Sequence, residues 1–100
     1  MARRPRLCER LFTVAERSYC EARADSAQHY AARFAAKEAI AKALGKSFSW
    51  QEVEIGRGAR GAPEVVFHGG AKAAAAGGVV RLSISHSGEY ALACALFERG

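Results

Sequence analysis

Two hydrophobic periods divide this chain near Gly45: apolar positions recur every three to four residues before it and every second residue after it. Thr13–Val14–Ala15–Glu16 is a capping-box sequence, with Thr13 as N-cap and Glu16 three residues on, and it predicts a helix from Val14 to about Ala22. A second, longer helix starts at Asp25 or Ser26, with Gln28 placed to complete another capping box, and ends at Gly45, where a left-handed cap fits. Trp50–Ile55 then alternates as a strand, 56–63 is a basic turn, and Glu64–His68 returns as a second strand. Gly69–Gly70 breaks that strand, and Ala71–Ala76 forms a short Ala-rich helix closed by Gly77–Gly78. In the next strand Val80, Leu82, Ile84 and His86 share one face and Arg81, Ser83 and Ser85 the other. Ser87–Gly88–Glu89 turns into a last apolar strand, Tyr90–Phe97. The expected fold is α+β, a single domain over residues 1–100 with helices packed on one side of a small, mainly antiparallel sheet.

The long helix breaks the ordinary amphipathic rule. Wound at about 100° per residue, Ile40, Leu44, Tyr30, Ala41 and Phe34 sweep one arc that should face the core. Arg33 falls beside Ile40, and Lys37 lies between Leu44 and Tyr30, so both cations point into the apolar side, while Glu38 and Lys42 follow Phe34 round its edge. Two explanations stay open on spacing alone. In one, Arg33 and Lys37 snorkel to water and Glu38–Lys42 is a surface pair worth about 0.3–0.5 kcal/mol. In the other, a carboxylate and several cations at the rim of the core hold a polyanion and its metal.

Composition narrows the partners. The chain has 100 residues, half of them apolar, which marks a globular domain and excludes a disordered segment. Many apolar positions are Ala and there is one Trp, so the core is thin, and association into an oligomer would add burial. A net charge of +5 points to an anionic partner. Cys8, Cys20 and Cys94 have no C-x-x-C spacing, which argues against zinc and a disulfide framework and fits a reduced, cytoplasmic compartment. No run approaches the ~20 apolar residues of a membrane span, and the basic start is not followed by the apolar stretch of a signal peptide. Phe48, Trp50 and Phe67 are not interleaved with basic residues as a nucleic-acid stacking platform requires, so neither nucleic acid nor membrane is expected as a partner.

The run Arg33-Phe34-x-x-Lys37-Glu38-Ala39-x-x-Lys42-Ala43-x-Gly45, with Ser83–Ile84–Ser85–His86 further along, resembles the 4′-phosphopantetheinyl transferases, specifically the holo-acyl-carrier-protein synthase group. The resemblance covers the chain from about Leu11 to its end. It implies transfer of the 4′-phosphopantetheine of coenzyme A to a serine of an apo acyl-carrier protein in fatty-acid synthesis, with Mg²⁺ as cofactor and a homotrimer sharing its active sites between subunits. By the same resemblance Glu38 is the metal-binding and catalytic carboxylate and Lys42 the lysine that reaches the phosphates. Arg33, Phe34 and Gly45 would line the coenzyme pocket, Pro63 and the loop before it would contact the nucleotide, and Ser85 and His86 would reach the coenzyme from a neighbouring subunit. Arg10 and Arg17 are candidates for docking an acidic carrier protein, and Arg57 and Arg60 for phosphate, against the plainer reading of solvated surface charge. His29 and His68 match no family position.

One departure stands out. The family opens with a strand of the form Gly-Ile-Gly-x-Asp, whose Asp is a second carboxylate on the metal. This chain has no such segment, and its only Asp, Asp25, sits at a helix cap. The expectation is that the natural protein starts upstream of Met1. A rival expectation is a truncated, non-catalytic fragment of the same fold that binds coenzyme A or the carrier protein without turnover.

Overall fold

The computed structural model describes residues 6–45, 48–58, 61–87 and 90–99, with the backbone alone at Arg6, Leu7, His86, Ser87, Tyr90 and Arg99. Three helices come first: α1 (Arg6–Leu11), α2 (Val14–Glu21) and α3 (Ser26–Leu44). A 3₁₀ turn (Trp50–Glu52) leads into β1 (Val53–Arg57) and β2 (Pro63–Phe67), and α4 (Gly69–Ala75) joins these to β3 (Gly78–Ser87) and β4 (Tyr90–Arg99). The Met1–Arg6 lead-in lies outside the described residues except for Arg6, which opens α1, a helix the sequence reading did not anticipate.

Local chemistry explains the helix ends. At α2 the capping box forms in full: the Glu16 backbone N–H donates to the Thr13 hydroxyl at 3.1 Å, and the Thr13 N–H donates to the Glu16 carboxylate at 2.9 Å. Gly45 ends α3 with φ 74°, the left-handed geometry a glycine adopts without steric penalty. The second expected capping box does not form. Asp25 is the N-cap but makes no side-chain cap bond; its carboxylate instead pairs with the His29 ring at 3.2 Å.

The strands form two antiparallel hairpins, β1–β2 and β3–β4, with no ladder between the pairs among the described residues. A single small sheet was expected. Alternating polarity specifies which face of a strand is buried, but not which edges pair. The faces agree with it: Leu82 and Ile84 of β3 turn partly inward and Arg81, Ser83 and Ser85 outward. Trp50–Glu52 is a turn rather than strand, so β1 begins at Val53.

Helix α3 lies across β3–β4 and touches β1. Ala36, Ile40, Val53, Ile55 and Ala71 form the buried centre, with Leu44, Phe48, Val65, Phe67, Val80, Leu82, Ile84, Ala93 and Ala95 packed around it. The buried stripe of α3 is His29, Ala32, Arg33, Ala36, Lys37 and Ile40, which is rotated from the expected arc. The alanines set this orientation because small side chains let the helix backbone approach the sheet closely. Phe34 is displaced to the edge and is 37% exposed. Among the described residues no helix is long and apolar enough to cross a membrane.

Candidate active site

Gly45 ends α3 in the left-handed conformation, and Phe48, Ser49 and Trp50 face the last two turns of the helix. Between them lies an open cavity of about 630 Å³, lined by Lys37, Glu38, Ala41, Lys42, Gly45, Phe48, Ser49, Trp50 and Val53. Glu38 and Lys42 are both exposed on its helical wall, at the i,i+4 spacing that puts two side chains on one face. Among the described residues they form no ion pair with each other or with another group, so both remain available to a ligand. Phe34 stands beside this cavity: its ring stacks on Trp50 with centroids 5.0 Å apart and planes 16° from parallel.

Lys37 departs from both readings of the sequence. It neither snorkels nor faces a ligand with a free charge; its ammonium is buried and pairs with Glu16 at 2.7 Å. Burial pulls its pKa below the ordinary lysine range, and the Glu16 carboxylate opposes that pull. Arg33 is likewise buried. Its Nε donates to the Ile55 carbonyl at 3.2 Å, and its guanidinium lies 4.4 Å from the Tyr19 ring centre.

Arg33 and Pro63 come together at a second, smaller cavity of about 110 Å³, with His29, Arg57 and Gly61 in its lining. Tyr19 gathers Arg23 at 3.8 Å and Arg57 at 5.7 Å from its ring centre as well as Arg33. Burial pushes the Tyr19 phenol up, but hydrogen bonds and charge from Arg23 and Arg57 outweigh it and leave the group below its usual value. Arg57 also donates to the Gly61 carbonyl at 2.9 Å across the basic turn, and Arg60 lies outside the described residues.

The predicted residues therefore fall into three places. Glu38, Lys42 and Gly45 share the large cavity, and Arg33 and Pro63 share the small one. Ser85 is exposed on the outer face of β3 and lines neither cavity; His86 is placed by its backbone alone, opposite Ala91. Arg10 is exposed at the end of α1, whereas Arg17 is half-buried and its Nε has no hydrogen-bond partner among the described residues. The wall residues Phe48, Ser49 and Trp50 were not singled out for the site from sequence; the lone Trp just past a helix-ending Gly was the one available signal.

A fold of this kind, with a carboxylate and a lysine one helical turn apart above an open cleft, has close relatives. The model of the 4′-phosphopantetheinyl transferase superfamily matches residues 1–95, and the chain belongs to that family. It is 52% identical to the holo-[acyl-carrier-protein] synthase of Desulforudis audaxviator over 97 residues, covering 91% of this chain and 74% of the relative. The synthase of Geobacter sulfurreducens is 46% identical over 101 residues, covering 94% and 80%. Among solved structures, the holo-(acyl-carrier-protein) synthase of Bacillus anthracis in complex with coenzyme A (3′,5′-ADP) superposes with a TM-score of 0.80 at 32% identity, over 95% of this chain and 82% of that one.

Proposed function

We propose that this chain transfers the 4′-phosphopantetheine arm of coenzyme A to a serine of an apo acyl-carrier protein, giving the holo protein used in fatty-acid synthesis. The observation that carries this reading is the unpaired Glu38–Lys42 couple on the wall of the large cavity, in a chain whose relatives over most of their length are holo-[acyl-carrier-protein] synthases. In the reaction the serine hydroxyl forms a bond to the phosphorus carrying the pantetheine arm. The phosphoanhydride bond breaks, 3′,5′-adenosine diphosphate leaves with the electron pair, and the serine proton passes to solvent water. Lys42 holds phosphate oxygens through its ammonium and offsets the charge that gathers on them. The stack of Phe34 on Trp50 gives the cleft a rigid apolar edge suited to the pantetheine chain.

A divalent cation fits this donor set. Glu38 is the one acid among the residues lining the cavity, and among the described residues no cluster of three or more His, Cys, Asp or Glu exists. A lone carboxylate suits Mg²⁺, which keeps several waters and takes its remaining oxygens from substrate phosphates. When bound, the ion supplies positive charge to the pyrophosphate, and Glu38 is the residue that holds it.

The reading extends to a homotrimer in the cytoplasm. Val79, Leu92 and Leu96 are 56%, 72% and 54% exposed on the outer face of the β3–β4 hairpin, beside Arg81, Ser83, Ser85 and Glu98, a mixed face that neighbouring copies would cover. Covering it would bring Ser85 and His86 of one copy toward the cavities of another, and Arg33, Gly45 and Pro63 would then frame the coenzyme.

The test is an intact-mass assay of apo acyl-carrier protein incubated with coenzyme A, MgCl₂ and this chain. Gain of the phosphopantetheine mass is the expected result. Binding of coenzyme A with no mass gain would overturn the transferase reading in favour of a binding fragment, and absence of both would remove the reading altogether.

A further inference from the structure

The three protons of the Lys37 ammonium are all engaged by oxygens drawn from three separate parts of the chain. Nζ lies 2.7 Å from Glu16 Oε1, 2.8 Å from the Leu11 carbonyl and 2.8 Å from the Trp50 carbonyl. The Glu16 carboxylate is equally occupied: Oε1 also accepts the Thr13 N–H at 2.9 Å, and Oε2 accepts the Ile55 N–H at 2.7 Å. The side chains of Lys37 and Glu16 are 1% and 0% exposed. This single pair thus joins the end of α1, the start of α2, the 3₁₀ turn and β1 to α3, one residue before Glu38.

A pair this deeply buried is a poor device for stability as such, because well-packed apolar residues of the same volume do as well or better. What it supplies is direction. An ammonium fixes the position of each oxygen it holds to within hydrogen-bond tolerance, which apolar packing does not. The oxygen that matters is the Trp50 carbonyl, since the same residue presents its indole to Phe34 and lines the large cavity. Gln51 adds a second tie from the turn to the helices, donating to the Phe12 and Glu9 carbonyls.

We propose that the buried Lys37–Glu16 pair is a positioning device for coenzyme binding: it holds the Trp50 wall of the cavity at a fixed distance from Glu38 and Lys42. The proposal rests on the coenzyme reading of that cavity. Glu16 lies outside the cavity lining, and Lys37 borders it with a side chain only 1% exposed whose ammonium is spent on Glu16, Leu11 and Trp50, so both act through Trp50 as positioning residues rather than catalytic ones.

Trp50 is the only Trp in the chain, which makes its fluorescence a direct report on the wall. Lys37→Met and Glu16→Gln would be compared with the parent at a temperature where circular dichroism shows each folded. Leu82→Ala would serve as a destabilised control, because Leu82 packs on the core from β3 and lines neither cavity. Both site variants are expected to raise the KM for coenzyme A on the order of 10- to 100-fold, the scale of a misplacement near 1 Å, while the KM for the carrier protein stays near the parent's. Acrylamide quenching of Trp50 should increase in the same variants and not in Leu82→Ala.

Unchanged quenching and unchanged KM for coenzyme A in a folded Lys37→Met would overturn the proposal. So would an equal change in Leu82→Ala, which would mark the effect as general loosening. If Lys37→Met does not fold, Glu16→Gln decides by the same two readings. Absence of transfer in the parent would refute the enzymatic reading alone, because acrylamide quenching of Trp50 still decides whether the pair holds the wall.

Discussion

Glu38→Gln separates chemistry from stability in this protein, because the structure gives the carboxylate no structural task. The side chain is exposed, and among the described residues it makes no hydrogen bond or ion pair. Gln has nearly the same shape and a similar helix propensity. The substitution should therefore change stability by less than about 0.5 kcal/mol, a shift of roughly 2–4 °C in Tm for a domain of this size. Activity should respond very differently. Among the described residues Glu38 is the one acid lining the cavity, so under the proposed function its loss would leave the cation and pyrophosphate without an anionic protein ligand there. Removing one preformed electrostatic contact from a phosphoryl-transfer site costs about 3–4 kcal/mol, or roughly 10²–10³ in rate. Intact-mass kinetics on apo acyl-carrier protein, run across a MgCl₂ titration, would measure the loss, and thermal unfolding would measure stability. If the variant keeps activity within about threefold of the parent at every Mg²⁺ concentration, the metal role of Glu38 is wrong. A Tm loss well beyond the few degrees expected would show that the side chain carries structure instead.

Three other outcomes follow from the geometry. Gly45→Ala should destabilise by about 1 kcal/mol in urea titrations, entirely through backbone strain, since φ is 74° and the space around its α-carbon is open; an unchanged midpoint would contradict the cap geometry. Burial pushes the Cys20 thiol from 9.0 up to about 11, so the folded state holds that proton more tightly than the unfolded one. The resulting stability is intact below pH 9 and is lost as pH rises towards 11. Parent and Cys20→Ala should therefore converge in stability over that range, and parallel pH profiles would refute the assignment. Under the proposed trimer, Leu92→Glu should leave the protomer folded, because the side chain is 72% exposed, yet yield monomers where the parent gives trimers in size-exclusion chromatography with light scattering; a trimer persisting in the variant would remove the β3–β4 face from the interface.

How much of this was legible beforehand depends on the range of the interaction. The capping box at Thr13 and Glu16, the glycine cap at Gly45 and the inward set on β3 are decided by residues within a few positions of one another, and each appears where the pattern put it. The placement of Glu38 and Lys42 on one wall is of the same kind, since a helical turn alone makes them neighbours. Ranking side chains by hydrophobicity alone puts Phe34 and Tyr30 on the buried face of α3, which the structure does not follow. The close approach of helix to sheet instead selects the alanines and carries Arg33 and Lys37 inward with them.

Glu16 shows the division most clearly. Its spacing from Thr13 announced a helix cap, and that cap is present. Nothing local announced that its second oxygen would accept the Ile55 N–H from 39 positions away, or that Lys37 would bind the Leu11 carbonyl 26 positions back. The sequence by itself determined α2, α3 and the four strands in outline, the caps at Thr13 and Gly45, and the shared face of Glu38 and Lys42, because those follow from short-range sterics and hydrogen bonding. Only the tertiary structure decided that the strands form two hairpins, that Arg33 and Lys37 are buried while Lys42 stays exposed, and that the Trp50 wall faces Glu38 and Lys42. Those outcomes depend on which surfaces meet when the chain closes over its core, and a buried charge finds its partner only there.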